Sequence, residues 1–153
     1  MKQIAAVSWS RNETELFSDG KYSRKHLWTF DGGLEIVASS SPHVVPLPYS
    51  IENAVDPEEA FVASLSSCHM LFFLSIAASK KFIVERYLDN AEGILDKNED
   101  GVMTMVSVTL KPLVIFSGNQ VPTREQLEKI HHLAHKQCFL ANSVRSQIIV
   151  LPQ

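Results

Sequence analysis

Cys68 and Cys138 are the only thiols in this 153-residue chain. Cys68 lies in "SLSSCHMLFFL", residues 64–74, beside His69 and at the mouth of an oily run. A thiol can act as nucleophile, redox centre or metal ligand. Neither cysteine sits in a CxxC pair, which excludes a zinc ribbon and a thioredoxin motif. Their spacing alone does not say that they meet, and a free cysteine is often just a small buried hydrophobe. His69 looks like an adjoining base. On a helix, however, neighbours point about 100° apart, so a Cys68–His69 ion pair is disfavoured. A buried imidazole there must find another hydrogen-bond partner.

A second cluster is "HHLAH", residues 131–135. His131 and His135 stand at i and i+4, a spacing that can share a metal, with Glu128 one turn earlier. Two histidines without HExxH do not define a site, and an amphipathic face shows the same pattern, so no metal or cofactor is assigned. The six glycines are scattered in turns and form no phosphate loop, and there is no GxSxG elbow. The net charge of -3, with no basic stripe, gives no electrostatic case for nucleic acid. The N-terminus "MKQIAAVSWSRNE" lacks a signal-peptide core, and the apolar run from Met70 to Ala78 is about half of a bilayer span. The expectation is a cytoplasmic protein with no membrane partner, where cysteines are free, redox-active or metal-bound rather than locked in a structural disulfide.

The elements that must position these residues follow from local signals. The length fits a single domain, 1–153. Residues 1–40 hold short β-branched or aromatic runs separated by "SDG" and "DGG", and read as a β-meander. Three prolines in "SPHVVPLPYSIENAV" predict an irregular crossing segment. A central helix is predicted over residues 56–81: Asp56 suits the N-cap, Pro57 the first turn, and Glu58 and Glu59 the positive end of the helix dipole. Its apolar or small residues run nearly all round, so it should be buried on most sides by other elements or a second subunit. Residues 84–116 read as a β-hairpin about the "NEDG" turn. A second helix is predicted over 123–139, with Thr123 and Gln126 as a capping box and Cys138 near its C-terminal end. A final strand covers 146–151. The pattern is α+β with antiparallel sheet.

The phrase "DPEEAFVASLSSCHMLFFLSIAA" resembles the OsmC/Ohr family of organic hydroperoxide reductases, and "CFLANSV", residues 138–144, resembles that family's second-cysteine motif. The resemblance implies an OsmC-like α+β fold, with antiparallel sheets wrapped around a buried central helix in an intertwined homodimer. It implies that Cys68 is the peroxidatic cysteine and Cys138 the resolving one. Glu58 matches the family glutamate ten residues before the first cysteine, and the family arginine is placed at Arg24, with Arg11 second. Phe139 departs from the proline usual after the second cysteine. The implied partners are a second copy, an organic hydroperoxide and a dithiol reductant.

The residue types make physical sense of that activity. A free thiol of pKa about 8.5 is mostly protonated at neutral pH, and a guanidinium beside it favours the thiolate. A carboxylate can grip that guanidinium bidentately. Glu58 and Cys68 lie roughly 15 Å apart along a straight helix, at 1.5 Å per residue. Either the helix breaks near Ser64–Ser67 or Glu58 serves the cysteine of a partner subunit. Phe61, Leu65, Phe72 and Trp28 are candidate walls for an apolar substrate. Two rival expectations stand beside the peroxidase: a non-catalytic OsmC-like dimer that binds a small molecule or partner, and a hotdog-type thioesterase using Glu58 or Glu59.

Overall fold

Eight strands and two long helices follow the order β1–β3, α1, β4–β7, α2, β8 in a computed structural model that describes residues 1–153. The chain divides into two compact units, Met1–Ala60 and Phe61–Gln153.

In the first unit, β1 (Ala5–Ser8), β2 (His26–Phe30) and β3 (Glu35–Ala38) form an antiparallel sheet in chain order. Trp28 sits opposite both Val7 and Ile36. The β2–β3 turn closes through Gly33, whose φ of 79° is the left-handed conformation glycine adopts without strain. The proline-rich segment that follows turns repeatedly and returns to β3. Val55 makes a parallel bridge with Ala38, and Ser39 N–H donates to the Val55 carbonyl at 3.0 Å.

Helix α1 runs unbroken over Pro57–Ser79. The Asp56 carboxylate accepts from Glu59 N–H at 2.7 Å, which caps the first turn as its residue type predicts. At the other end Lys81 takes φ 65° and Phe82 N–H reaches back to the Ala77 carbonyl at 3.1 Å. This is a Schellman-type stop, made by a lysine where glycine is usual. Burial of Phe82 against Phe73 and Ala77 offsets the left-handed strain. The buried stripe of α1 is Leu65, His69, Phe73 and Ala77, at i+4 steps. The opposite stripe, including Ser64, Ser67, Leu71 and Ser75, is exposed, with Leu71 at 60%. Within one chain, then, one side of α1 is buried. At 23 residues α1 has the length and composition of a bilayer span, yet its buried stripe packs into a core of strands and α2.

In the second unit, β4 (Ile83–Asp89) pairs with β7 (Pro112–Ser117), and β5 (Glu92–Lys97) pairs with β6 (Met103–Leu110), all antiparallel. The two ladders share one hairpin path, interrupted at residues 90–91 and at Lys111. Its tip is the Asn98–Gly101 turn, where Gly101 N–H bonds the Asn98 carbonyl at 2.9 Å and Gly101 has φ 77°. Helix α2 (Arg124–Gln137) starts in a full Thr123–Gln126 capping box. Strand β8 (Gln147–Val150) then joins β6 in parallel, a departure from purely antiparallel sheet. The reason is the α2 crossover, which carries the chain back to the start of the sheet.

Two apolar clusters hold this unit. Phe73, Ala77 and Phe82 pack with Ile130 and Ala134 of α2. Leu65 packs with Val108 and Leu110. Leu65 is thus a core residue, and Phe61 and Phe72 pack against these clusters.

Candidate functional site

The C-terminal cap of α2 is Cys138, fully buried and on the same face as Ile130 and Ala134. Two turns earlier on that face is His131. Cys68 sits in the middle of α1, partly buried. Packing of α1 on α2 brings the two sulfurs to 2.8 Å, both as free thiols, with the Cys138 S–H directed at Cys68. Burial is the main force that pushes the Cys138 thiol up to about 11, and its bond to Cys68 adds to that. The Ala141 N–H also points at Cys138 Sγ, at 3.4 Å. Phe139, the residue in the usual proline position, is 72% exposed, and its ring meets Phe72 edge-on at 5.1 Å.

Beside the thiols lies a buried imidazole pair that sequence reasoning missed. His69 Nε2 and His131 Nδ1 are 3.0 Å apart, both residues almost wholly buried. The Phe73 ring stacks on His131 at 4.3 Å. Burial lowers the pKa of both imidazoles to about 4. Nearby His135 also lowers that of His69 while Asp89 opposes it, and His69 lowers that of His131. Both rings are neutral at pH 7. Their outer nitrogens, His69 Nδ1 and His131 Nε2, have no partner. The predicted need of His69 for a partner was legible; its identity, 62 residues away, was not.

Asp89 at the end of β4 is a further polar node. It accepts from the Ser66 hydroxyl and from Lys111 N–H at 2.6 Å. These bonds, and the Ser64 hydroxyl donating to the Phe61 carbonyl at 2.8 Å, satisfy the serines without opening α1. Of the two alternatives for Glu58 and Cys68, the break near Ser64–Ser67 is absent.

His131 and His135 do line one depression of about 250 Å³ with Glu128 and His132. His131 Nδ1 is already committed to His69, and no three His, Cys, Asp or Glu side chains converge as a metal-ligand set.

Arg24 and Glu58 line a single cavity of about 480 Å³ in the first unit, together with Trp9, Phe17, Tyr22 and His26. Trp9, Phe17 and Tyr22 form an aromatic cluster with centroids 4.5 to 5.7 Å apart, pinned by Trp9 Nε1–H on the Ser23 carbonyl at 2.8 Å. Three aromatics in a short segment rich in turn residues were the available signal. The Arg24 guanidinium lies 3.7 Å over the Tyr22 ring and donates to the Gly20 and Tyr22 carbonyls. No hydrogen bond or ion pair joins Glu58 to Arg24 in this chain; both carbonyl bonds leave from Nη1. Arg11, the second placement, instead closes its own turn by donating to the carbonyls of Asn12, Glu13 and Glu15.

An α+β chain with a long apolar helix, a bent β-hairpin and two thiols in contact between its helices defines a narrow class of protein. A family model described as OsmC-like protein matches residues 51–151, and the chain belongs to that family. The thioesterase alternative loses its basis with that assignment. The chain is 56% identical to an OsmC-like protein of unknown function from Vibrio cholerae O1 biovar eltor, with TM-score 0.99, covering 100% of this chain and 99% of that one. An organic hydroperoxide resistance protein from Elizabethkingia anophelis shares the fold at 19% identity and TM-score 0.71, covering 99% of this chain and 94% of that one. The organic hydroperoxide resistance protein OhrB of Bacillus subtilis does so at 17% identity and TM-score 0.68, covering 100% and 97%. Comparison with curated protein sequences found no match.

Proposed function

We propose that this protein is a thiol-dependent peroxidase that reduces organic hydroperoxides to alcohols. The observation that carries the reading is the 2.8 Å approach of Cys138 Sγ to Cys68 Sγ from two separate helices. The family and the hydroperoxide-resistance names of structural neighbours support it.

Cys68 thiolate attacks the distal peroxide oxygen. An S–O bond forms, the O–O bond breaks, and the leaving alkoxide takes up a proton as the alcohol. Cys68 is left as a sulfenic acid. Cys138 stays a thiol at neutral pH, because its pKa is pushed up to about 11. It attacks the sulfenic sulfur, and its proton leaves with the hydroxyl as water. The Cys68–Cys138 disulfide stores the two electrons' worth of oxidation, and a cellular dithiol reduces it by exchange. Atoms balance as one hydroperoxide plus one dithiol giving alcohol, water and the oxidised dithiol. Arg24 and Glu58 hold the substrate in the aromatic cavity, and the positive charge of Arg24 favours the Cys68 thiolate of a partner subunit. An intertwined homodimer in the cytoplasm is part of the proposal. It would cover the exposed Ser64–Ser67–Leu71–Ser75 stripe of α1.

The test is stopped-flow consumption of an alkyl hydroperoxide with a dithiol reductant. Cys68→Ser should abolish turnover, and peroxide-treated wild type should carry a Cys68–Cys138 link by mass spectrometry. Wild-type turnover in Cys68→Ser refutes the reading. The aromatic cavity with its arginine and carboxylate favours one alternative, a non-catalytic small-molecule-binding dimer, in which both thiols stay inert to the peroxide.

A further inference from the structure

We propose that the buried His69–His131 pair is a positioning device that sets the helix register bringing Cys138 to Cys68, and so tunes how readily the disulfide closes. The inference rests on the reading that these thiols form a disulfide.

The two side-chain hydrogen bonds that join α1 to α2 are His69 to His131 and Cys138 to Cys68. Everything else between these helices is apolar packing among Phe73, Ala77, Ile130 and Ala134 and the aromatic contacts around them. Apolar contacts are non-directional and tolerate sliding. A hydrogen bond at 3.0 Å is directional and weakens steeply with misalignment. The imidazole pair is therefore the part of the interface that fixes register.

Its placement couples it to the sulfurs. His69 follows Cys68 directly on α1. His131 precedes Cys138 by seven residues on α2, two turns on nearly the same face, or about 10 Å of stiff helix. A slip at His131 is carried to Cys138 with little loss. The two rings lie nearly parallel, at 5° between planes, and Phe73 stacks on His131, so the pair has one well-defined arrangement.

The pair is an expensive choice for stability alone. Each neutral imidazole has one N–H, so the shared bond always leaves one bare nitrogen and one N–H outside it. Those two outer atoms are buried and unpartnered. Two leucines would avoid that penalty. A buried polar pair that costs stability but specifies alignment is the same device as a single buried asparagine in a coiled coil.

The experiment measures the equilibrium of the Cys68–Cys138 disulfide against reduced and oxidised glutathione, with no hydroperoxide present. The variants are His69→Leu, His131→Leu and His69→Gln. A glutamine amide reaches the Nε2 position and keeps the bond to His131 Nδ1. The leucine variants should form the disulfide about tenfold less favourably, the equivalent of one stranded buried nitrogen, and His69→Gln should stay within about twofold of wild type. Leucine variants that keep the wild-type equilibrium, or a glutamine variant that falls as far as leucine, overturn the inference. If the leucine variants fail to fold, the wild type still decides it by reciprocity. Exchange of the shared imidazole N–H, followed by NMR, should be slower in the oxidised protein, and equal rates in both redox states refute the coupling. A Cys68 inert to hydroperoxide sinks the peroxidase reading yet leaves this equilibrium measurable.

Discussion

The buried histidine pair predicts a specific acid sensitivity. Both imidazoles fall from an ordinary 6.5 to about 4 in the folded protein, chiefly because burial penalises the charged ring. Between those values the unfolded chain binds more protons than the folded one. Stability is then complete above pH 6.5, falls as pH drops, and levels off below about pH 4. At roughly 1.4 kcal/mol per tenfold, protonating one imidazole costs about 3 kcal/mol over that window. The second proton is harder still, since the rings are 3.0 Å apart at their nearest nitrogens. Against a typical total of about 5–15 kcal/mol this is a large fraction. The assay is urea denaturation at pH 7.5, 6.5, 5.5 and 4.5, at one fixed protein concentration because any dimer adds mass action. Wild type is compared with the His69→Leu/His131→Leu double variant. Every other ionisable group is common to both proteins, so the difference isolates the pair. Each imidazole contributes about 2–3 kcal/mol by pH 4.5, so the wild-type free energy should drop by about 5 kcal/mol more than the variant's between pH 7.5 and 4.5. Parallel curves would refute the reasoning.

Two other outcomes are expected. Arg24→Lys keeps the charge but loses the planar fork that stacks on Tyr22 and bonds two carbonyls, so kcat/KM for an alkyl hydroperoxide should fall by about tenfold with an unchanged circular dichroism spectrum. Gly93→Ala would place a Cβ 2.6 Å from Val62 Cγ2 and 2.7 Å from Met105 Sδ. It should destabilise by about 1–3 kcal/mol, and Val62→Ala should restore part of the loss in thermal unfolding.

The sequence by itself determined the pieces whose causes lie within a few residues. Asp56 and Pro57 start α1, Thr123 and Gln126 start α2, and "NEDG" turns the hairpin, because a cap or turn is closed by hydrogen bonds over three or four positions. Hydrophobic periodicity put Cys138 on the buried face at the end of α2. The α+β class followed from the same signals, and the motif around Cys68 pointed to the family. Only the tertiary structure decided which distant groups meet. Cys68 and Cys138 are 70 residues apart, and His69 and His131 are 62 apart. Neither spacing carries information about contact, because the α1–α2 packing angle is set by the whole apolar cluster around Phe73 and Ile130. Arg24 and Glu58 reach one cavity because Val55 returns to β3 before α1 begins, a path no local signal encodes. The parallel pairing of β8 with β6 likewise depends on where α2 delivers the chain. Local chemistry chose the elements, and long-range packing chose which atoms face each other.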